Sequence, residues 1–211
     1  MKKTLLLLSL LFPPLLLGAT PQFEEDLHYS SVIPPQPGGE GGRIQVMEFF
    51  RYGCGACNAL EPHLQEWLKR KPENVDFVRV PAVSDRPEIM LHAKTYYALE
   101  LMKADRGIHE KIFHAIHDQH QALDTPERME KFLGEQGVGI QAYRDALASF
   151  AVDMQIRRAL ILAQRFDARR VPTIAVDGKY VTTWLGPALT MQLAEYLMTT
   201  VEREKTAQAS K

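Results

Sequence analysis

Hydrophobic residues recur with two different periods along the chain, and the changes of period mark the predicted elements. A nearly continuous apolar run over Ile44–Phe50 predicts a buried strand. Apolar residues at helical spacing then predict a helix that begins in the segment 54–57 and runs to Leu68, with a kink at Pro62. Residues 75–80 predict a second strand. Strand, helix and strand in this order are typical of a right-handed βαβ unit.

Helical periodicity alone continues through residues 85–167, and this block predicts an inserted helical domain. The step from Thr125 to Pro126 places a capping residue before a proline, which marks the start of one helix. Helices are expected over residues 89–102 and 108–116, after Thr125, and over residues 140–148 and 152–166.

β-branched residues return after the helical block. Residues 171–176 predict a strand, the Asp177-Gly178 dipeptide predicts a hairpin turn, and residues 179–183 predict the return strand. A last helix is expected over residues 187–204, followed by a polar tail. The second part of the chain is therefore a hairpin followed by a helix.

The first residues have the three-part form of a secretory signal. A basic start, a leucine-rich run and small residues ending at Ala19 predict a cleaved signal peptide over residues 1–19. An uncleaved anchor is the alternative, but the run is short for a membrane span and contains Pro13 and Pro14. Residues 20–42 become rich in proline and glycine and are interpreted as an N-terminal lead-in.

Composition and charge exclude several classes of protein. The chain has 211 residues, of which 45% are hydrophobic and 24% are charged, so it is not a disordered protein. Its 25 basic and 26 acidic residues give a net charge of −1, and no basic excess indicates a nucleic-acid partner. The length suits one domain that carries a large insertion.

The candidate chemistry lies in the two cysteines, Cys54 and Cys57. A disulfide between them would close a very small loop, so redox chemistry explains the pair better than structural cross-linking does. A zinc site needs further ligands, of which His63 is one candidate, and covalent haem needs a histidine where Asn58 stands. An inert loop disulfide and a metal site stay open as alternatives.

A cysteine at the start of a helix is well placed to carry a negative charge. The free backbone N–H groups and the positive end of the helix dipole favour the Cys54 thiolate, which is the reactive form of the side chain. Cys57 lies about one turn further on and is expected to point inwards as the resolving thiol. Such a pair supports thiol–disulfide exchange.

Two stretches of the sequence resemble the DsbA family of thiol–disulfide oxidoreductases. They are residues 48–57, which end in Cys-Gly-Ala-Cys, and residues 171–181. The resemblance implies an α/β protein with a thioredoxin fold and an inserted all-helical domain. The expected boundaries are residues 43–84 and 168–211 for the thioredoxin-like domain and 85–167 for the insertion.

The resemblance also implies roles for individual residues. Cys54 would be the nucleophile and Cys57 the resolving thiol. Pro172 would be a cis-proline that faces the pair, and the backbone of Val171 would bind an extended substrate peptide beside the disulfide. The alternative for Pro172 is that it only begins an edge strand.

Further candidates surround the pair. Glu48 and Glu61 match acidic residues that the family keeps near the buried cysteine. Glu48 lies in an apolar strand, where burial would raise its pKa and let it exchange a proton with the buried thiol, unless it faces solvent. Tyr52 is expected to bind substrate, in an apolar groove with Trp184 and Leu185, and core packing is the alternative for Trp184 and Leu185.

The dipeptide between the cysteines departs from the family pattern. Gly55-Ala56 stands where Pro-His is typical, and a histidine would favour the thiolate. The pKa of Cys54 is therefore expected to be less depressed. Glycine at the first position is similar to the disulfide isomerases, whereas Val171 before Pro172 resembles the oxidases.

The expected function is that of a periplasmic oxidoreductase that introduces disulfide bonds into exported proteins, with no cofactor or metal beyond its own disulfide. Its expected partners are reduced or unfolded exported proteins and a DsbB-like membrane quinone reductase, and a monomer is expected. The alternatives are a reductase or isomerase kept reduced by a membrane donor, and a redox-inactive peptide-binding chaperone.

Histidines are concentrated in one predicted helix and its end. We interpret them as a polar helix surface, with a metal patch as the alternative. They are His109, His114, His117 and His120.

Overall fold

The computed structural model describes residues 23–104 and 107–210, so the predicted signal peptide lies outside the described residues. The strands are β1 (Tyr29–Ser31), β2 (Ile44–Phe50), β3 (Val75–Pro81), β4 (Thr173–Val176) and β5 (Tyr180–Thr182). The helices are α1 (Gly55–Arg70), α2 (Pro87–Leu101), α3 (Gly107–His117), α4 (Pro126–Glu135), α5 (Ile140–Leu147), α6 (Phe150–Arg165) and α7 (Pro187–Ala209). Across these two ranges, no helix combines the length and apolar character needed to cross a membrane.

The strands form one mixed sheet in the order β1-β5-β4-β2-β3. β2 pairs with β3 in parallel, while the β2–β4, β4–β5 and β5–β1 pairs are antiparallel. The predicted strand Ile44–Phe50 is confirmed as β2, and it is an interior strand between β4 and β3. Its register places Glu48 opposite Arg79 of the edge strand β3 and Ile174 of β4, so a charged pair joins β2 to β3.

The lead-in contributes an edge strand that the sequence pattern did not predict. β1 contains three residues, which are too few to display a period, and it forms by pairing with β5. Beyond it, the Val32 N–H donates to the Lys179 carbonyl at 2.7 Å and the Gln36 N–H donates to the Gly178 carbonyl at 2.8 Å. At Gly178, φ is +70° and a Cβ would lie 2.0 Å from the Gln36 oxygen, so only glycine fits this close approach.

Several element ends differ from the prediction. β4 begins at Thr173 rather than at residue 171, because Pro172 follows a cis peptide bond and has no N–H for the ladder. The last helix continues to Ala209, beyond the predicted end. α1 runs from Gly55 to Arg70 and includes Pro62 within one continuous helix.

Apolar side chains cover both faces of the sheet. On one face, α1 packs against α7 and the inward residues of β2. On the other face, Met47 and Phe49 of β2 pack with Phe166, which follows α6. Because side chains alternate across a strand, Glu48 shares the face of Val46, which is the α1 face.

The helices α2 to α6 follow β3 and precede β4 along the chain. Their apolar residues form a cluster that continues into the segment from the end of β2 to the first turn of α1, where it includes Phe50, Tyr52, Cys54 and Cys57. The packing of the helical insertion is therefore continuous with the segment that carries the cysteines.

The hairpin is joined to the lead-in and to α7 by one buried carboxylate. Asp177 is 3% exposed, and its Oδ1 accepts the Gly39 N–H at 2.9 Å. Its Oδ2 lies 2.9 Å from Nζ of Lys205 in α7. Asp177 has φ +52°, a conformation that aspartate and asparagine tolerate better than most residues.

We expect Asp177→Ala to lower the free energy of unfolding by about 2–3 kcal/mol, because it leaves buried donors without a charged acceptor. Asp177→Asn keeps an acceptor oxygen and the backbone conformation, and should cost about 1 kcal/mol. Urea unfolding of the two variants, with Lys205→Met as the control for the ion pair, measures the difference. Equal losses in both Asp177 variants would contradict a role for the acceptor oxygen.

Candidate active site

Cys54 caps the N-terminus of α1, as the sequence predicted. Its backbone is extended, with φ −100° and ψ 114°, and the helix begins at Gly55. The sulfur accepts the backbone N–H of Cys57 at 3.3 Å, in the place of the side-chain oxygen of an ordinary cap. Cys54 is 9% exposed and Cys57 is 0% exposed, so Cys54 is the sulfur that an incoming group can reach.

The two thiols are free in this structure, which therefore describes the reduced form. A hydrogen bond from the Cys57 thiol lowers the pKa of Cys54 from 9.0 to about 6, against the opposing effect of burial. The backbone N–H groups of Cys57 and Ala56 and the charge of Arg51 act in the same direction. The same contact with Cys54, together with burial, raises the pKa of Cys57. The pair is thus divided into a stabilised thiolate and a thiol that holds its proton.

The loop before β4 approaches the exposed sulfur. The Val171–Pro172 peptide bond is cis, and the Val171 carbonyl oxygen lies 3.4 Å from Cys54 Sγ. Val171 itself is half-buried, whereas Pro172 is buried. The structure therefore brings Val171 to Cys54 and confirms the cis peptide bond predicted before Pro172.

Glu48 is fully buried, which rules out the solvent-facing alternative. The Arg79 guanidinium donates through Nε to Glu48 Oε2 at 3.2 Å. Burial raises the pKa of Glu48 to about 8, although Arg79 opposes the shift. Glu48 also interacts electrostatically with both cysteines. Its negative charge raises the pKa of Cys57, and the negative charge of the Cys54 thiolate raises the pKa of Glu48.

Glu61 lies on α1 and shares Arg79 with Glu48. Arg79 Nη2 donates to Glu61 Oε1 at 2.7 Å, and Gln65 Nε2 donates to the same oxygen at 2.6 Å. Burial alone would raise the pKa of Glu61, but His109, Arg79 and Gln65 outweigh it and lower the pKa. Two acidic side chains, one with a raised pKa and one with a lowered pKa, therefore flank one buried cation.

The substrate-binding role predicted for the Tyr52 side chain needs correction. Tyr52 is 1% exposed, and its ring packs against Phe50 and Phe113, so the side chain belongs to the core rather than to an exposed substrate-binding groove. Leu185 packs against the cluster between α1 and α7, while Trp184 is 39% exposed.

The predicted polar histidine surface also needs correction, because His109 is buried. Its side chain is 10% exposed, and its Nδ1 lies 2.9 Å from the Tyr52 hydroxyl. His117 Nε2 bonds the Tyr52 carbonyl oxygen at 2.7 Å, whereas His114 pairs with Asp118 at the surface. In the part of the chain that the structure describes, no three potential ligands lie together as a metal site. Helical spacing is the signal that could have found His109, because Ile112, Phe113 and Ile116 lie three, four and seven residues further on. It does not identify the Tyr52 loop as the segment that covers this face.

We expect Cys57→Ala to raise the pKa of Cys54 towards its ordinary value, because alanine removes the main hydrogen-bond donor to the thiolate. Cys57→Ser is the matched control, since its hydroxyl can still donate and should keep much of the shift. The ultraviolet absorbance of the thiolate, followed against pH, measures both values. A pKa that stays near 6 in Cys57→Ala would show that the backbone N–H groups are sufficient alone.

Comparisons with known proteins agree with this arrangement. The DSBA-like thioredoxin domain family matches residues 79–198. The chain is 34% identical to the thiol:disulfide interchange protein DsbA of Pseudomonas aeruginosa, over 97% of this chain and 98% of that protein. It is 36% identical to DsbA of Burkholderia cepacia, over 81% and 82% of the two chains. The crystal structure of P. aeruginosa DsbA superposes with a TM-score of 0.80 at 35% identity, covering 90% of this chain and 97% of that one. This chain therefore belongs to the DsbA family and is a thiol:disulfide oxidoreductase.

Proposed function

We propose that this protein works as a disulfide oxidase, which passes a Cys54–Cys57 disulfide to exported proteins in the periplasm. The observation that carries the proposal is the unequal pair of thiols at the start of α1. A cysteine with a low pKa is a good leaving group, so its release from a mixed disulfide is favoured. The predicted signal peptide and the family relationship support the periplasmic location.

In the proposed reaction, a substrate thiolate attacks Sγ of Cys54 in the oxidised protein. The bond between Cys54 and Cys57 breaks, and its electron pair leaves on Cys57. A second substrate thiolate then attacks the substrate sulfur of the mixed disulfide, and the electron pair of that bond leaves on Cys54. The substrate loses two electrons and gains a disulfide, while the protein keeps a Cys54 thiolate and a Cys57 thiol.

The Cys57 thiolate formed in the first step must gain a proton, and Glu48 is the proposed source. Glu48 is buried, interacts with both sulfurs and holds a proton at neutral pH, since its pKa is raised to about 8. In the reverse process, when a partner re-oxidises the protein, Glu48 would accept the proton that Cys57 loses. Glu61 is proposed to act indirectly, through Arg79, which contacts both carboxyl groups.

The loop of Val171 and Pro172 is the proposed substrate contact. The Val171 carbonyl lies 3.4 Å from Cys54 Sγ, so a peptide that pairs with the Val171 backbone would lie beside the reacting sulfur. Backbone pairing is independent of substrate sequence, which suits an enzyme with many client proteins. A DsbB-like membrane quinone reductase is the proposed acceptor of the electrons that Cys54 and Cys57 collect.

A reductase or isomerase is the second candidate, and the Gly55-Ala56 dipeptide favours it. Neither side chain can donate a charged hydrogen bond to the thiolate, so the stabilisation of Cys54 depends on the backbone, on Cys57 and on Arg51. The relative stability of the two redox forms decides between the candidates, because an oxidase must be more stable when reduced.

We expect the reduced protein to melt at a higher temperature than the oxidised protein under mildly alkaline conditions. The Cys54 pKa is lower in the folded than in the unfolded chain, so its contribution to stability is complete above the unfolded value. That contribution is lost as the pH falls through about 6. The difference in melting temperature between the reduced and oxidised forms should therefore shrink as the pH falls. Each kcal/mol of lost stability lowers the melting temperature by roughly 2–4 °C in a chain of this size.

Calorimetry of both forms across this pH range gives the result. A higher-melting oxidised form would favour the reductase. A Cys54→Ser variant that still oxidises a reduced peptide would contradict the assignment of the nucleophile.

We expect Ala56→His to make the protein more oxidising, with about a tenfold shift of its equilibrium with glutathione towards the reduced protein, because an imidazolium beside Cys54 favours the thiolate. Ala56→Gln is the control, since it has a similar size and no charge. The difference between the glutathione equilibria of Ala56→His and Ala56→Gln should grow as the pH falls through the pKa of the imidazole. Identical behaviour of the two variants at every pH would show that charge at position 56 does not act on Cys54.

A further inference from the structure

Two carboxyl groups and one cation from β2, α1 and β3 are buried together, and their charges cannot all be balanced. Arg79 contacts Glu48 at 3.2 Å and Glu61 at 2.7 Å, and it is the guanidinium that both share. One positive charge neutralises one carboxylate. A second carboxylate without a partner would be costly in this environment, so one of the two groups holds a proton.

Hydrogen-bond donors decide which carboxyl is ionised. Glu61 receives donors from Arg79 and Gln65 on Oε1, and its Oε2 faces His109 Nε2 at 3.6 Å. Glu48 receives one donor, Arg79 Nε, while its Oε1 has no hydrogen-bond partner among the described residues. An anion is most stable where the donors are most numerous, and that place is Glu61.

The tautomer of His109 is set on its other side. Burial raises the pKa of Tyr52 well above its ordinary value and lowers that of His109, so both groups are neutral. If the Tyr52 hydroxyl donates to Nδ1 over 2.9 Å, Nε2 carries the hydrogen and directs it at Glu61. The opposite tautomer would place a lone pair against a carboxylate. Among the described residues, neither Nε2 nor Glu61 Oε2 has a hydrogen-bond partner, and the two atoms face each other at 3.6 Å.

We propose that His109 is a positioning residue that places the negative charge of the carboxyl pair on Glu61 and thereby keeps Glu48 protonated for exchange with the cysteines. The inference rests on the proposed role of Glu48 as proton donor to Cys57. It adds that a residue of α3, held by Tyr52, selects which acid performs that role. His109 acts through Glu61 and Arg79 and does not itself contact the sulfurs in the structure.

The surroundings of His109 contain few other charges. Phe50, Tyr96 and Phe113 have ring centroids 5.1 to 5.9 Å from the imidazole, so aromatic groups enclose it. The titratable and charged groups that act on this cluster are Glu48 from β2, Glu61 from α1, Arg79 from β3, Cys54 and Tyr52 from the loop, and Tyr96 and Glu100 from α2. Tyr96 is neutral, because burial raises its pKa. Gln65 and His109 are the neutral side chains that face Glu61, and His109 is the one that faces Oε2.

The test replaces His109 by leucine, which removes the donor, and by glutamine, whose amide can still donate to Glu61. Carbon-detected NMR of the full-length reduced protein reports the pKa of each glutamate carboxyl. In His109→Leu, we expect the pKa of Glu61 to rise and that of Glu48 to fall, each by roughly one unit. The pKa of Cys54 should rise as well, because an ionised Glu48 repels the thiolate. In His109→Gln, the pKa values of Glu61, Glu48 and Cys54 should stay close to those of the unmodified protein.

Tyr52→Phe provides a second route that keeps the imidazole. It removes the hydroxyl that fixes the tautomer, so smaller shifts in the same directions are expected, which also guards against poor folding of His109→Leu. Unchanged carboxyl pKa values in folded His109→Leu would overturn the proposal. If the pKa of Glu61 rises and that of Glu48 falls but the rate of disulfide exchange does not change, His109 has the proposed effect on the acids. In that case the role of Glu48 as proton donor is wrong.

Discussion

The unpaired backbone N–H groups at the start of α1 are the feature on which the chemistry depends. A helix N-terminus needs an acceptor, and serine, threonine, aspartate or asparagine usually provides it. Here the sulfur of Cys54 takes that place. A thiolate is a better acceptor than a thiol or a disulfide sulfur, so the cap is strongest in the reduced form. The free energy of capping is thereby coupled to the redox state, and release of the disulfide stabilises the helix.

The second constraint is the charged cluster built into the sheet. The register of β2 and β3 puts Glu48 beside Arg79, and the first turns of α1 carry Glu61 to the same cation. A buried ion pair of this kind contributes little to stability, because desolvation offsets the attraction. The proposed importance of the cluster is chemical. One cation shared by two acids leaves one proton on the pair, and this is the proton that we propose Glu48 exchanges with Cys57.

The sequence predicted the elements better than the contacts between them. The Ile44–Phe50 strand and the start of α1 at the cysteines follow from local patterns, so the placement of Cys54 at a helix N-terminus could be predicted. β1 could not, since three residues carry no pattern and their pairing comes from β5. Glu48 was ambiguous for a similar reason. In a strand whose neighbours are apolar on both faces, alternation does not show which way one glutamate points.

Contacts between distant segments account for the errors at Tyr52 and His109. Tyr52 precedes the cysteines, where a substrate-facing position was plausible, and His109 was grouped with the exposed histidines of α3 although it shares the face of Ile112 and Phe113. Both side chains lie in the interior because α3 packs over the loop after β2, which joins residues far apart in the chain. Local periodicity describes one helix at a time and does not identify the segment that covers its apolar face.

The small size of Gly55 and Ala56 is explained by where the stabilisation of the Cys54 thiolate comes from. Gly55 has no atom within 4 Å of the position that a Cβ would occupy, so steric crowding does not explain the glycine. The anion is stabilised by groups that do not belong to the dipeptide: Cys57, the backbone and Arg51. Small residues at 55 and 56 therefore forgo side-chain stabilisation of the thiolate and leave the approach to Cys54 open. Since Cys54 is itself only 9% exposed, small side chains at these two positions keep the approach of an incoming chain unobstructed.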